Sequence, residues 1–335
     1  MDNYIKNQNI IIKIVCERKI ISKLKAEIGD YYEFVIGNYQ QNFTIYIFID
    51  NGKYKKILNN VNNMKYKMKL FKDRDGQVIL DKDKNELIAF YTELNDNVIQ
   101  FIEEIIISIF GIFLTKQKYF FLHAACVEKN RNAVAIIGDR ASGKTTLLNV
   151  LMQNDFNFVC NSHLGIKDVN RKIEVIGAPS RVGMRVETLE KCMNANIRKK
   201  IFLNTEFRKR FGKNAENNLK SYRVKKFNIK VNELKKIYNI QIVSTSTLKL
   251  IIVPLYIEQL NHIKIIKVEE NNKSEIFMKN KRDGVYDTTK YMNYLDTSEK
   301  NTLPKNLSKI KMYKVYQNEK CIEELLKFIQ LEIGE

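Results

Sequence analysis

The chain of 335 residues has no tryptophan, three prolines, three histidines and five cysteines. The cysteines are Cys16, Cys126, Cys160, Cys192 and Cys321. Their number is odd, and no two of them form the close C-x-x-C pair of zinc and redox sites, which argues against a disulfide framework and against a structural zinc site. We therefore expect reduced thiols, as in a cytoplasmic protein.

The chain also lacks a long uninterrupted apolar run. The N-terminus has no basic segment followed by an apolar core and a small-residue cleavage site, so we predict no signal peptide. The longest apolar stretch, from Val98 to Leu114, is interrupted by Gln100, Glu103 and Glu104. What remains is too short to span a bilayer, so we predict a buried helix and no membrane span.

Negative charge is scarce, because 57 Lys and Arg face 38 Asp and Glu and give a formal net charge of +19. Such a charge is compatible with nucleic-acid binding. However, no RNP-like, KH-like, zinc-finger or helix-turn-helix pattern is present. Lys, Asn and Ile are abundant along the whole chain, as in proteins from genomes rich in A and T. Nucleic acid is therefore not a favoured partner.

The order of strand-like and helix-like segments predicts an α/β protein in three parts. Residues 1–95 contain β-branched and aromatic runs and are expected to form a small β-rich N-terminal module. Residues 96–260 form the predicted nucleotide-binding core, which includes a basic helical segment at 190–236. Residues 261–335 are a polar tail that ends in an amphipathic helix at 320–333.

Local sequence patterns predict individual strands and helices in the N-terminal module and in the core. The predicted strands of the N-terminal module are 10–15, 31–37, 43–50, 65–71 and 86–92. Those of the core are 120–128, 132–138, 156–160 and 248–257, with a hairpin at 166–177 that turns near Asn170. A helix is predicted at 144–153.

One motif carries a specific chemistry. Residues 138–146 read G-D-R-A-S-G-K-T-T and fit the phosphate-binding pattern G-x-x-x-x-G-K-[ST], with a hydrophobic strand before and a helix after. The residues expected to bind nucleotide are Gly138, Asp139, Ala141, Ser142, Gly143, Lys144, Thr145 and Thr146. Lys144 would contact the β- and γ-phosphates, and the Thr145 hydroxyl would ligate Mg²⁺. The motif predicts binding of ATP or GTP with Mg²⁺, without choosing between the two nucleotides.

The segments around this motif resemble a known family. The stretch from LHAACVE (122–128) through the motif to FNFVCNS (156–162) and Gly177-Ala178-Pro179 is similar to the C-terminal catalytic domain of HPr kinase/phosphorylase and of HPr-kinase-like proteins. The likeness covers about residues 97–257. It implies a P-loop core related to phosphoenolpyruvate carboxykinase, often in an oligomer. It also implies ATP-dependent phosphorylation of a Ser or Thr hydroxyl in a peptide or small protein, including ribosomally made precursor peptides.

The chain departs from this family where an acidic pair would hold metal or accept a proton. Asn161 and Ser162 occupy these two positions, and an amide cannot act as a base near neutral pH. Either another carboxylate replaces the pair, with Asp139, Asp168 and Glu128 as candidates, or the protein is a pseudokinase that binds nucleotide without efficient transfer. Both alternatives remain open at this point.

Other candidate catalytic residues follow from the same resemblance. His123 lies on the strand before the motif, His163 directly follows the degenerate pair, and Arg185 follows Pro179 where the family places groups near its active site. The planar guanidinium of Arg185 suits a phosphate because it can donate to two oxygens at once.

A dense basic run extends over residues 194–226, where only Glu206 and Glu216 offset the lysines and arginines. Such a run is either a solvated face or a docking surface for an acidic peptide or small protein acceptor. A docking surface would bind its partner in a salt-sensitive manner.

Overall fold

The computed structural model describes residues 2–49, 68–73, 76–81, 83–212, 225–282 and 302–334. The chain divides into two compact units. The first comprises residues 1–116 with 284–300, and the second comprises 117–283 with 301–335. Each contains both strands and helices, so the predicted α/β class is confirmed.

The first unit is built on one sheet. Its strands are β1 (Asp2–Asn7), β2 (Ile10–Val15), β3 (Glu33–Gly37), β4 (Phe43–Ile49), β5 (Met68–Asp73), β6 (Gly76–Asp81) and β7 (Glu86–Tyr91). Within the described residues they are ordered β3-β1-β2-β4-β7-β6-β5. The strands predicted at 10–15, 43–50 and 86–92 are therefore confirmed. The part of the predicted 65–71 strand before Met68 lies outside the described residues.

The first unit also contains a helix, although only strands and turns were predicted for residues 1–95. Helix α1 (Arg18–Ile28) buries Ile20, Leu24 and Ile28, which recur every fourth residue and so form one face of the helix.

The long apolar stretch forms helix α2 (Asp96–Lys116) of 21 residues, which lies in the first unit. By length and composition it could cross a membrane, so the prediction that the stretch is too short was wrong. The prediction of a buried helix is confirmed, because 72% of its apolar window is buried inside the protein. The Phe110 ring, for example, stacks on Tyr32 with centroids 4.4 Å apart.

The second unit contains the remaining elements. Its strands are β8 (Phe120–Leu122), β9 (Ala124–Lys129), β10 (Asn132–Ile137), β11 (Asn157–Cys160), β12 (Leu164–Val169), β13 (Lys172–Gly177), β14 (Val182–Arg185), β15 (Lys226–Ile229), β16 (Thr245–Tyr256), β17 (Lys264–Lys267), β18 (Lys281–Arg282) and β19 (Lys311–Gln317). Its helices are α3 (Lys144–Gln153), α4 (Val186–Cys192), α5 (Ala195–Phe202), α6 (Thr205–Phe211), α7 (Val231–Tyr238), α8 (Glu270–Lys279) and α9 (Ile322–Ile333), with 3-10 turns at Lys305–Lys309 and Glu319–Cys321.

The larger sheet of this unit holds the core. Among the described residues its strands follow the order β11-β9-β10-β16-β13-β12-β8-β18, and β19 pairs with both β16 and β17. The apolar strand β16 runs parallel to β10 and to β19. The predicted helix at 144–153 is confirmed, as is the hairpin, whose turn has Asn170 and Arg171 at φ values of 49° and 65°.

Two segments of the second unit differ from the sequence-based prediction. The single strand expected over 120–128 is two strands, β8 and β9, which are separated at His123 and belong to different parts of the sheet. Residues 261–335, expected to be a polar tail, supply β17, β18 and β19 to the sheet. The hydrogen bonds of sheet pairing override the weak strand propensity of these lysine-rich segments.

Candidate functional site

The motif loop, residues 138–143, connects strand β10 to helix α3. Its backbone takes left-handed conformations at Gly138 (φ 146°), Ala141 (φ 68°) and Gly143 (φ 99°). The φ of Gly143 favours glycine, and a Cβ there would lie 2.6 Å from Nε2 of Gln317, so the end of that side chain would have to shift. The loop thus turns sharply between a buried strand and a helix, as the motif predicts.

Helix α3 begins at the end of this loop without a side-chain cap, since its N-cap residue is Gly143. The first N–H groups of a helix have no partner within the helix, and together with the helix dipole they favour an anion. Lys144, Thr145 and Thr146 form this first turn, and all three line the neighbouring cleft.

Lys144 lies folded over the loop. Its Nζ donates hydrogen bonds to the carbonyl oxygens of Gly138 at 2.6 Å and Asp139 at 2.8 Å. Burial lowers the pKa of this lysine, and the nearby Asp139 carboxylate partly opposes the effect. A positively charged donor is therefore held at the loop that the motif assigns to phosphate.

A cleft of about 590 Å³ opens beside the loop, entirely within the second unit. Its cationic lining residues are Arg140, Lys144, Arg185, Lys226, Lys279, Lys281 and Arg282. The other lining residues are His123, Gly138, Asp139, Ala141, Gly143, Thr145, Thr146, Asn161, Ser162, Gly183, Thr188 and Asn280. Seven cations and one carboxylate give this cleft a strongly positive lining, which would attract an anion more than a cation.

The one carboxylate in this lining is Asp139, and it is already paired. Its Oδ2 lies 2.9 Å from Nζ of Lys279, on helix α8, and both side chains are exposed. Of the residues expected to replace the acidic pair, Asp139 alone lies in the cleft. Asp168 instead accepts hydrogen bonds from the backbone and side chain of Asn306, and Glu128 accepts from Arg131 and Asn157. Asp168 and Glu128 do not line the cleft.

His123 occupies the break between β8 and β9 and reaches the cleft. Its backbone N–H donates to the carbonyl oxygen of Asn280 at 2.7 Å. Its Nδ1 lies 3.3 Å from the carbonyl oxygen of Ser162 and 3.1 Å from Nη2 of Arg282. These contacts require opposite tautomers, because Nδ1 must donate to a carbonyl but accept from a guanidinium. Burial, then Arg282 and Lys144, lowers the His123 pKa, so the neutral imidazole is favoured.

Asn161 and Ser162 both line the cleft after strand β11. The Asn161 backbone N–H donates to Oγ of Ser180, and its Nδ2 donates to the carbonyl oxygen of Arg181, both at 3.2 Å. The amide thus ties two neighbouring segments together, while its Oδ1 makes no hydrogen bond among the described residues.

Two predicted site residues do not line the cleft. Ser142 belongs to the motif loop but is buried beneath its surface. His163 is not among the lining residues, and burial, with smaller effects from Arg282 and His123, lowers its pKa to about 3. His163 is therefore neutral near pH 7.

Arg185 and Lys226 approach the cleft from the small two-stranded sheet. They are directly opposite each other in the antiparallel β14–β15 pair. Of the basic run at 194–226, Lys226 alone among its described residues lines the cleft, and residues 213–224 lie outside the described residues. Other members of the run have structural contacts, since Lys200 donates to the carbonyl oxygen of Ile237 and Arg208 to that of Phe202.

Sequence reasoning missed several lining residues, above all Lys279, Asn280, Lys281 and Arg282. The basic tetrapeptide at 279–282 was the available signal. Strand β18 pairs with β8, so Lys281 lies opposite Leu122 and Arg282 opposite Phe121, next to His123.

The lining residues of the cleft can be compared with the ligands that the predicted Mg²⁺ would need. Magnesium in nucleotide sites is held by one or two carboxylates together with phosphate oxygens. Among the described residues no group of three His, Cys, Asp or Glu side chains could hold a metal ion. Thr145 remains as the predicted ligand, but the only carboxylate nearby is paired with Lys279. The residues present therefore fit a polyphosphate and do not fit a magnesium ion.

Comparison with known proteins adds little to this geometry. No family model matches the chain, and no curated protein matches it. Among solved structures, the chain is similar to the Hpr(Ser) kinase/phosphatase from Coxiella burnetii, with 12% sequence identity. The match covers 64% of this chain and 99% of that one, with a TM-score of 0.31. A TM-score this low carries no conclusion about activity.

Proposed function

We propose that the protein binds the polyphosphate of a nucleoside triphosphate, ATP or GTP, in the cleft beside the motif loop. The observation that carries the proposal is the lining itself: an uncapped helix start and seven cations against one carboxylate. A nucleoside triphosphate carries about four negative charges near neutral pH. The charge of the lining, 7 − 1 = +6 without histidine, suits such a ligand.

Specific residues would hold the ligand. The N–H groups of the first turn of helix α3 would donate to phosphate oxygens. Lys144 would exchange its bonds to the carbonyl oxygens of Gly138 and Asp139 for bonds to phosphate. This exchange is favourable because a charge-assisted bond to an anionic oxygen is stronger than a bond to a neutral carbonyl.

Calorimetry of the full chain with ATP and with GTP tests this proposal. We expect Lys144→Ala to weaken binding by about 10- to 100-fold, the loss typical of one hydrogen bond to a charged group. The matched control is Lys236→Ala, which removes an exposed lysine from helix α7, outside the cleft lining. Equal affinities for both variants and the parent protein would remove the motif loop from the site.

A second candidate function is phosphoryl transfer to a Ser or Thr hydroxyl of a peptide or small protein, and His123 favours it. Asp139 and His123 are the two proton acceptors in the described lining, and Asp139 is paired with Lys279. In the tautomer that donates Nδ1–H to the Ser162 carbonyl oxygen, Nε2 of His123 could accept the hydroxyl proton. The acceptor oxygen would bond to the terminal phosphorus as the bond to the leaving diphosphate breaks.

Incubation with γ-labelled ATP and acidic serine-containing peptides tests transfer. Loss of a general base typically lowers a rate by about 10²–10⁴. We therefore expect His123→Asn to lose transfer by that factor while keeping nucleotide affinity. A parent protein that binds nucleotide but labels no peptide would support the alternative, a nucleotide-binding pseudokinase that lacks the acidic pair at Asn161 and Ser162.

The partners of this reaction are part of the proposal. We propose that the phosphate acceptor is an acidic peptide or small protein that docks on the basic run at 194–226. We also propose that the protein is cytoplasmic and forms homo-oligomers. Charge complementarity supports the docking because it raises encounter rates with an anionic partner. Affinity for such a peptide should fall steeply between low and physiological salt, as fluorescence anisotropy can measure. An affinity that does not respond to salt would assign the run to a solvated face.

A further inference from the structure

The cleft has few groups that could hold the metal ion on which nucleotide-binding sites usually depend. Asp139 supplies the one carboxylate of the described lining, and its Oδ2 is 2.9 Å from Nζ of Lys279. Asn161 stands where the resembling family has an acid, and its Nδ2 is bonded to a backbone carbonyl. A magnesium ion in a nucleotide site keeps several waters and is usually held by one or two carboxylates besides the phosphates, so the Thr145 hydroxyl alone is a weak protein contribution to such a site.

The same cleft has cations in excess. Arg140, Arg185 and Lys226 line it and make no ion pair within the described part of the chain. Arg282 brings further charge from strand β18. Each of these groups can neutralise phosphate oxygens directly, which is the electrostatic contribution that a metal ion makes in other nucleotide sites.

The pair of Arg185 and Lys226 is the part of the lining that an anionic ligand would stabilise most directly. The two residues are directly opposite each other in the β14–β15 ladder, and both are exposed to the cleft. Like charges in directly opposite positions of an antiparallel pair are destabilising. No carboxylate among the described lining residues offsets this pair, so an anionic ligand in the cleft would relieve the repulsion.

We infer that the cleft binds the triphosphate without a divalent metal, with lysine and arginine side chains in the place of Mg²⁺. The inference rests on the proposed nucleotide binding and makes it more specific: the ligand is the free polyanion. The metal complex of the nucleotide carries two fewer negative charges than the free form. It is therefore attracted less strongly to a lining with a net charge of +6.

A double variant distinguishes this inference from non-specific binding of anions. Arg185→Gln with Lys226→Gln removes the opposed pair and keeps side chains of similar length. We expect the double variant to bind ATP in EDTA about 5- to 20-fold more weakly, from two exposed charge contacts. In the free protein the same change should leave hydrogen exchange of the amides in strands β14 and β15 equal or slightly slower, because it removes a repulsion. Lys236→Ala again serves as the control.

Calorimetry of the full chain with ATP, in EDTA and in excess Mg²⁺, is the deciding experiment, with inorganic triphosphate as a competitor. We expect an affinity in EDTA that equals or exceeds the affinity in Mg²⁺, and displacement of ATP by inorganic triphosphate. Binding that appears only with Mg²⁺, or that strengthens tenfold or more when Mg²⁺ is added, would overturn the inference and leave nucleotide binding intact. Absence of binding in both conditions would overturn the proposed function and this inference together.

Discussion

Substitution of Gly143 by alanine tests how the motif loop is held in place. Gly143 has a φ of 99°, and a methyl group there would lie 2.6 Å from Nε2 of Gln317. The left-handed backbone costs an L-residue about 1–2 kcal/mol. Displacing the Gln317 side chain, which is 2% exposed, costs about 1–3 kcal/mol more, as in other overpacked sites. We therefore expect Gly143→Ala to destabilise the second unit by about 2–5 kcal/mol.

A double-mutant cycle separates these two costs. Gln317→Ala removes the atom that the new methyl group would meet, so the combined variant retains only the backbone cost of about 1–2 kcal/mol. The coupling energy between the two substitutions then equals the steric contribution, about 1–3 kcal/mol. Gln317→Ala alone supplies the correction for loss of the glutamine itself.

Hydrogen exchange of the amides in strand β10 is the appropriate assay. The chain has two units, so a single unfolding curve of the whole protein would not report on the second unit alone. Exchange at residues 132–137 measures the opening of the strand that leads into the loop. If Gly143→Ala exchanges like the parent protein, or if the two substitutions are simply additive, the contact between Gly143 and Gln317 is not what holds the loop.

Three further outcomes follow from the site and its surroundings. The His163 pKa is about 3 in the folded protein against an ordinary 6.5, so the unfolded chain takes up a proton first as pH falls from 6.5 to 3. The stability of the second unit should fall across that window by up to about 1.4 kcal/mol per pH unit. Hydrogen exchange of the amides in strand β11, corrected for the intrinsic pH dependence of exchange, should show a smaller loss for His163→Gln. Asn161→Asp should raise peptide labelling by γ-labelled ATP if the lost acid limits transfer; unchanged labelling would mean that His123 suffices. Lys279→Ala should free the Asp139 carboxylate and thereby increase any stimulation of ATP binding by Mg²⁺, whereas equal metal dependence would show that this ion pair has no effect on metal binding.

The parts of the fold that could be predicted have strong local signals. Helix α3 follows a glycine and carries an apolar face, and the hairpin of β12 and β13 turns at Asn170, a residue type that tolerates left-handed backbone. The motif loop could likewise be predicted, because its glycines, lysine and threonines all lie within one segment of nine residues, 138–146. Helix α1 was missed although Ile20, Leu24 and Ile28 show its period, since β-branched residues around them suggested strands.

The remainder depends on distant pairing that no local pattern specifies. Strand β18 is two residues long and is a strand only because it pairs with β8. The break at His123 exists because β8 and β9 belong to different parts of one sheet, although apolar sequence runs through both. The cations of helix α8 and strand β18 reach the motif loop by these tertiary contacts, so sequence reasoning located the loop and not its surroundings.

The ion pair between Asp139 and Lys279 has a consequence for biosynthesis. The two residues are 140 positions apart. At about 5–20 residues per second, the ribosome adds Lys279 roughly 7–30 seconds after Asp139. During that interval the nascent chain lacks Lys279, Lys281 and Arg282, three of the seven cations that line the cleft, and Gln317, which packs against Gly143, is synthesised later still. The complete cationic lining of the cleft therefore assembles only after Arg282 has been synthesised.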